Sequence, residues 1–264
     1  MKMLSNTPPA RNSKELWKHF SDTYFSLRAG LAVLAFAMPL VLYCYGKYRH
    51  GLDLQPSMSA YFWAATKDQC ATFPMRTFFV GFLFAVGVGL YVYKGLTPLE
   101  NLFLNLAAVC AVVVAIYPER LPEIPDSDRL KEIYLNCPAV EVWAALPPKY
   151  VHWIAAATLF VLLALVAWLC ARKSLEYLPP ESNKAGFERT YKIIAFAMIL
   201  FPLYGIAVAW LLGQMPNKIF FIEAAGMWTF GFYWATKTRE LALSRLEKDP
   251  EQAVAHAKQR EGKT

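Results

Sequence analysis

Long apolar runs separated by short polar links dominate the chain, and their lengths decide the class of fold. A bilayer core about 30 Å thick is crossed by roughly 20 mostly apolar residues in a helix. Six runs near that length occur, at about residues 29–45, 77–93, 101–117, 150–171, 191–213 and 219–235. Lipid offers no partner to an unpaired backbone group, so each run is predicted to be helical. The second and third runs, RTFFVGFLFAVGVGLYVYKG and LTPLENLFLNLAAVCAVVVAIYP, meet at a short link containing Gly95 and Pro98, which predicts an antiparallel hairpin. Within the hairpin Gly81, Ala85 and Gly89 fall four apart, as do Ala107, Ala111 and Ala115. Small residues at that spacing let backbones approach closely, so both stripes read as packing faces. Pro39 and Pro202 interrupt the first and fifth runs and predict kinks.

The expected fold class is therefore all-α, a polytopic membrane helix bundle with six transmembrane helices. Residues 1–28 form an N-terminal segment, 29–236 the transmembrane domain and 237–264 a charged tail. In 12–27, Leu16, Phe20, Tyr24 and Leu27 recur at helical spacing. That stretch reads either as an interfacial helix on the headgroups or as a cytosolic extension of the first span. About 28 mostly polar residues precede the first run and no small-residue cleavage site follows it, so insertion through the first helix is expected rather than a cleaved signal.

Composition agrees with the pattern. Apolar residues make up 56% and charged residues 18% of the chain, against about 45–50% and 25% in a soluble domain. The net charge of +7 sits at the ends of the runs, where it encodes topology and contact with anionic lipid. No basic groove with interleaved aromatics is present, so nucleic acid is not expected as a partner. Six spans place both termini on one side. Of the 27 Lys and Arg residues, 18 fall in 1–28, 94–100, 171–192 and 237–264. The excess of basic residues in those segments predicts that both termini are cytoplasmic. Tyr43, Tyr45, Tyr91, Tyr93, Tyr117, Tyr150, Trp153 and Trp234 at the run ends fit interfacial aromatic belts.

Two long loops then face outward. Residues 47–75 include HGLDLQPSMSAYFW, too polar to span and rich enough in aromatics to lie at the interface. Residues 118–149 are acidic and proline-rich, with a short helix expected near 128–135. Cys70 and Cys137 lie in these loops and are a candidate disulfide in an oxidising compartment, the alternative being two free thiols. Cys44, Cys110 and Cys170 lie in or near spans and behave as small apolar residues.

Ionisable residues inside spans are costly and therefore mark candidate sites. Glu223, in FFIEAAGMW, is such an acid. Arg76 and His152 sit at the same depth, and the loop feeding that level offers Asp53, Ser57, Ser59 and Tyr61. Arg76, His152, Glu223, Ser57, Ser59 and Tyr61 form the candidate ligand-binding set, suited to a lipid headgroup or small anion. The competing reading is a Glu223–Arg76 ion pair that only fixes helix register. A second polar set, Lys94, Glu100, Asn101, Asn105, Arg189 and Lys237, lies at the opposite end. There Glu100 and Lys94 read as an exposed turn pair, and Asn101 and Asn105 as interhelical hydrogen bonders. Catalytic candidates are His152, Glu223, Ser57 and Ser59, without a nucleophile-elbow pattern around either serine. His50, Asp53 and His152 are the candidate metal ligands, with Glu223 an alternative to Asp53, since a hydrolytic zinc site takes three protein ligands. Nothing in their spacing requires a metal, so no cofactor is expected outside a zinc-dependent hydrolase reading.

The stretches PSMSAYFW, MRTFFVGFLFAVGVGLYVYKG, ENLFLNLAAVCAVVVAIYP, HWIAAATLF and EAAGMWTFGFYWATK together resemble a family of uncharacterised bacterial inner-membrane proteins. In that family a serine-containing SAYY stretch precedes a VG…YKG…N…A…P hairpin. The resemblance covers most of 55–237 and implies a multi-pass protein of the bacterial inner (cytoplasmic) membrane. It places emphasis on Ser57, Ser59, Tyr61, Arg76, Lys94, Gly95, Asn101, Asn105, His152, Glu223 and Lys237, and brings no established activity. More distantly, the chain is similar to the alkaline ceramidase and progestin/adiponectin receptor membrane hydrolases. Those carry a serine, an aspartate and several histidines around zinc; this chain has six runs instead of seven and lacks the histidine pair of the last one. The leading expectation is a protein without enzymatic activity that binds a lipid headgroup or small ligand at the Glu223 level. A membrane-embedded lipid hydrolase is the alternative. A small-molecule transporter is the third reading, and no internal repeat or paired broken helices speak for it. Membrane lipids are the expected partners, with a second copy of the chain as a further candidate through Gly81, Ala85 and Gly89.

Overall fold

The computed structural model describes residues 11–64, 73–119, 150–179 and 181–244, together with 255 and 258, and side chains from Lys18 onward. Cys70, Cys137 and the helix expected near 128–135 lie outside the described residues. Among those residues the chain is all-helical. Helix α1 (Arg11–Leu40) continues through a π-turn at Val41–Tyr45 into α2 (Gly46–His50). Pro39 lies just ahead of that wider turn. A proline removes one ladder hydrogen bond and crowds the carbonyl four residues back, and a π-turn lets the ladder resume. Then follow α3 (Arg76–Val92), α4 (Pro98–Ile116) and α5 (Tyr150–Leu165). A π-turn at Val166–Cys170 and a 3-10 turn at Ala171–Tyr177 extend α5, and α6 (Lys184–Leu211) and α7 (Lys218–Ser244) complete the set. The Thr97 side chain accepts from the Glu100 amide, with Pro98 in the first turn, and so starts α4; Asn183 caps α6 in the same way. Both use a short oxygen-bearing side chain to satisfy a helix donor that has no intrahelical partner.

Four rods are long and apolar enough to cross a membrane: Lys18–His50, Pro98–Ile116, Tyr150–Tyr177 and Lys184–Leu211. Helix α3 is apolar but shorter, at 17 residues. The outward surface carries Val33, Val88, Leu102, Ile154, Leu203, Trp210 and Leu211, all exposed, while Ala35, Leu42, Leu90 and Leu104 are buried. An apolar exterior on this scale is a liability in water and the ordinary state in lipid.

With α1 and α2 running as one rod, α1 packs against α3, each of α3 to α6 packs against the next, and α7 returns to pack along α1. The helices therefore form a ring in sequence order. Glycines set its tightest contacts. A Cβ at Gly205 of α6 would stand 2.6 Å from the Ile222 Cα of α7, and one at Gly87 of α3 would stand 3.2 Å from the Ala108 carbonyl of α4. Ala107, Ala111 and Ala115 are all buried, as expected of a packing face. The Gly81, Ala85 and Gly89 stripe is not one face. Gly89 meets Leu31, whereas Gly81 and Ala85 are exposed and a Cβ at Gly81 meets nothing. At about 100° per residue, Gly81 stands about 200° round the wheel from Phe79, which with Leu83, Val86 and Leu90 makes the buried side of α3.

One end of the ring is closed by the chain itself. Gly51, at φ +67°, ends α2 and turns the backbone inward. Leu52, Met58, Ala60, Tyr61, Phe62, Trp63 and Ala64 are buried, with a 3-10 turn at Ser59–Phe62. The Phe220 amide of α7 donates to the Pro56 carbonyl at 2.9 Å. The expectation that this loop lies on the interface is thus corrected: residues 52–64 form a plug inserted between the helices. Irregular backbone is tolerated at such depth when protein groups satisfy it, and Ser57 does so locally, its Oγ accepting from the Ala60 amide at 2.9 Å.

The glycine contacts give a paired prediction. Gly205→Ala forces a methyl group into the α7 backbone and is expected to cost about 1–3 kcal/mol, the usual range for overpacking. Gly81→Ala is expected to leave stability unchanged or slightly raised. Thermal unfolding of the two purified variants in one detergent checks both.

Candidate functional site

Below the plug lies a cavity of about 50 Å³. Its walls are mostly methionine, phenylalanine, leucine, valine and alanine from α1, α3, α4, α5 and α7, and its polar wall residues are Ser59, His152 and Glu223. Each is delivered by a different element: Ser59 by the plug, His152 by the first turn of α5, and Glu223 by the start of α7. A fourth group, Glu119, follows the end of α4 and reaches the same place.

The contacts are close. The Ser57 hydroxyl donates to Glu119 Oε2 at 2.7 Å, and Ser59 Oγ stands 3.0 Å from the same oxygen. Ser59 Oγ is also 3.4 Å from Glu223 Oε1 and 3.2 Å from Ser57 Oγ. Glu223 Oε2 accepts from the Met58 backbone amide at 2.5 Å, which ties the plug to α7. The Trp63 indole donates to the Glu119 carbonyl at 2.7 Å and holds that residue against the plug. His152 is 3% exposed, and its Nδ1 lies 2.8 Å from the Tyr117 carbonyl. A carbonyl only accepts, so Nδ1 carries hydrogen; in the neutral ring, Nε2 is then a bare acceptor.

The structure thus brings together Ser57, Ser59, His152 and Glu223 from the predicted set. It separates Arg76 and Tyr61 from them. The expected Glu223–Arg76 ion pair is not formed. Arg76 instead stacks on Phe73 and Phe62, 4.1 and 4.3 Å from the ring centres, and its Nε donates to the Phe62 carbonyl at 3.1 Å. The plug's aromatic faces and the Phe62 carbonyl hold the guanidinium, and cation–π contact strengthens when desolvated. Tyr61 is fully buried and tilts against Phe220 at 6.1 Å; burial pushes its phenol well above the usual value. Both residues secure the plug and neither lines the cavity.

Glu119 was not singled out from the sequence. It opens an acidic, proline-rich stretch that reads as a solvated loop, and the only signal was its place directly after the third apolar run. His50 packs against the Tyr45 ring, and Asp53 is exposed. Among the described residues no group of three or more His, Cys, Asp and Glu side chains is placed to hold a metal ion. Nor does either serine hydrogen-bond to His152 there; both hydroxyls turn to carboxylates.

The second polar set also differs from expectation. Glu100 is 1% exposed, not part of an exposed pair with Lys94, and its Oε2 accepts from the Leu96 amide at 3.0 Å. Asn101 accepts from the Gly95 amide at 2.7 Å, so it builds the hairpin turn rather than bridging helices. Arg189 and Lys94 are exposed. Lys237 is the member that reaches the core, and there it meets residues the sequence reading passed over. It lies 3.3 Å from Glu240 Oε2, with both side chains at most 1% exposed. Tyr191 and Ser174 donate to the same oxygen at 2.7 and 3.0 Å, and Lys237 donates to Ser174. Lys237 and Glu240 stand three apart on α7, a spacing that reads equally as a solvated tail pair. The 3-10 turn of Ala171–Tyr177 folding over them is what makes them core.

No family model, no curated protein and no solved structure matches this chain.

Breaking a buried ion pair from one side strands a charge and costs about 3–5 kcal/mol, whereas replacing both partners is often neutral. Lys237→Met is therefore expected to lose most of the protein's stability margin, and the Lys237→Met/Glu240→Leu double variant to recover part of it. Urea or thermal unfolding of the two variants against the parent chain measures the difference.

Proposed function

We propose that this chain is a multi-pass protein of the bacterial inner membrane, with six spans and both termini in the cytoplasm, that binds a lipid headgroup or small ligand beneath its plug. The plug then faces outward, and Glu223, five residues into α7, lies about 7–8 Å below that end. The distribution of Lys and Arg supports the orientation, and the apolar exterior supports the membrane setting. The observation that carries the binding reading is the cavity itself. An apolar chamber with a few convergent polar groups is the usual form of a small-ligand site.

The hydrolase reading finds no serine–histidine pair: the described contacts of Ser57 and Ser59 run to Glu119, Glu223, the Ala60 amide and each other.

Two measurements test this reading. A reporter fused after Thr264 is expected to be active only on the cytoplasmic side; periplasmic activity contradicts the orientation. Native mass spectrometry of the purified chain is expected to show a retained small molecule or lipid. That species should be lost in Ser59→Ala and Glu223→Gln but kept in Arg76→Gln, which loosens the plug without touching the cavity wall.

A further inference from the structure

We infer that the cavity beneath the plug takes an alkyl group, either the end of a lipid chain or a small apolar molecule. The inference rests on the binding reading above and narrows it to what enters the chamber. The polar wall residues are already engaged. Ser59 Oγ turns to Glu119 and Glu223, Glu223 Oε2 takes the Met58 amide, and His152 Nδ1 is held by the Tyr117 carbonyl. The surface that faces the space is almost wholly apolar, with Phe79, Leu83, Leu159 and Phe160 among its makers. Met38, Met58 and Met227 complete it, and flexible thioether side chains let a wall follow the shape of its occupant.

Polarity and size narrow the occupant. Water in a buried site needs about two to four polar partners, and this wall offers almost none. The hydrogen-bonding groups of a headgroup would be stranded against carbon if they entered. An apolar cavity of about 150 Å³ holds a benzene-sized molecule. At about 50 Å³ this one suits a single xenon atom, or roughly a methyl end and its neighbouring methylene. No hydrophobic gain moves an alkyl group from lipid into protein, since both are apolar. Contact does: wall atoms bordering a void lack dispersion partners, and an occupant restores them.

The chamber also has a way in. Among its wall residues Ala156, Phe160 and Glu223 stay partly exposed, so it opens along α5 and α7. Phe160 forms the inner edge of that opening, one turn below Ala156. Its ring lies 4.6 Å from that of Phe201 on α6, and its rim stands 2.7 Å from where a Cβ at Gly226 of α7 would be. Ile154 of α5 and Leu203 of α6 are exposed on the neighbouring surface. That setting brings alkyl chains, not aqueous solutes, to the opening.

Full-length protein with isotope-labelled methionine methyl groups is placed in phosphatidylcholine nanodiscs and followed by NMR, first under xenon and then with glycerol phosphate. The methyl signals of Met38, Met58 and Met227 report the chamber, and exposed Met215 is the control. Xenon is expected to shift the three wall methyls saturably, and glycerol phosphate to leave them in place. Ala156→Leu fills the space and should weaken the xenon response at least tenfold. Leu159→Ala enlarges it and should strengthen that response, which keeps the test decisive if the filled variant does not fold. A phosphatidylcholine carrying a photoreactive diazirine at its chain end identifies the source. Cross-links to the wall residues assign the lipid chain; a xenon response without them assigns a small free molecule. Saturable wall-methyl shifts with glycerol phosphate overturn the alkyl assignment but leave the binding reading standing. No response to either probe and no cross-link to the wall overturns both.

Discussion

Backbone that leaves the helix inside an apolar bundle must find every hydrogen-bond partner within the protein, because lipid provides none. The plug is where this chain meets that constraint. Its Met58 amide is satisfied by Glu223, its Ala60 amide by Ser57, and its Pro56 carbonyl by the Phe220 amide. Two of those partners come from the start of α7, so the helix that closes the ring also holds its cap. Glu223 thereby serves twice: one oxygen anchors the plug and the other faces Ser59 at the cavity. An acid at that depth is costly on its own, and the backbone donor it meets explains why the fold can carry it.

The two ends of the bundle handle buried charge differently. At the Lys237 end, Glu240 is matched by a lysine, a tyrosine and a serine, and the resulting network resembles a lock between α7, α6 and the turn after α5. At the plug end two carboxylates share two hydroxyls, the nearest arginine is engaged by aromatic rings, and open space remains.

Much of the fold was legible because it follows from run length and periodicity. The hairpin at Gly95 and Pro98, the buried Ala107, Ala111 and Ala115, and the break at Pro39 are all local patterns. Glu223 was legible too, as an acid interrupting FFIEAAGMW, and so was its gathering with Ser59 and His152, which share one cavity wall. What the sequence hid depends on tertiary choice. Aromatic-rich PSMSAYFW fits an interface as well as a core, and only its hydrogen bonds to α7 decide. Arg76 had two attractive partners at similar depth, and rings won over a carboxylate. Glu119 and Glu240 each lie in polar surroundings along the chain, and burial came from elements distant in sequence. The Gly81 stripe misled because spacing of four says nothing about which side of a helix meets its neighbours.

The central claim is that residues 57–64 are packed inside the helical bundle, not laid on its surface. Cysteine accessibility in a background without native cysteines tests it most directly. In intact cells Tyr48→Cys, at 85% exposure, is expected to react with a membrane-impermeant maleimide. Ser59→Cys, at 1%, is expected to stay unlabelled until the protein is unfolded. Labelling of both positions at comparable rates would contradict the account.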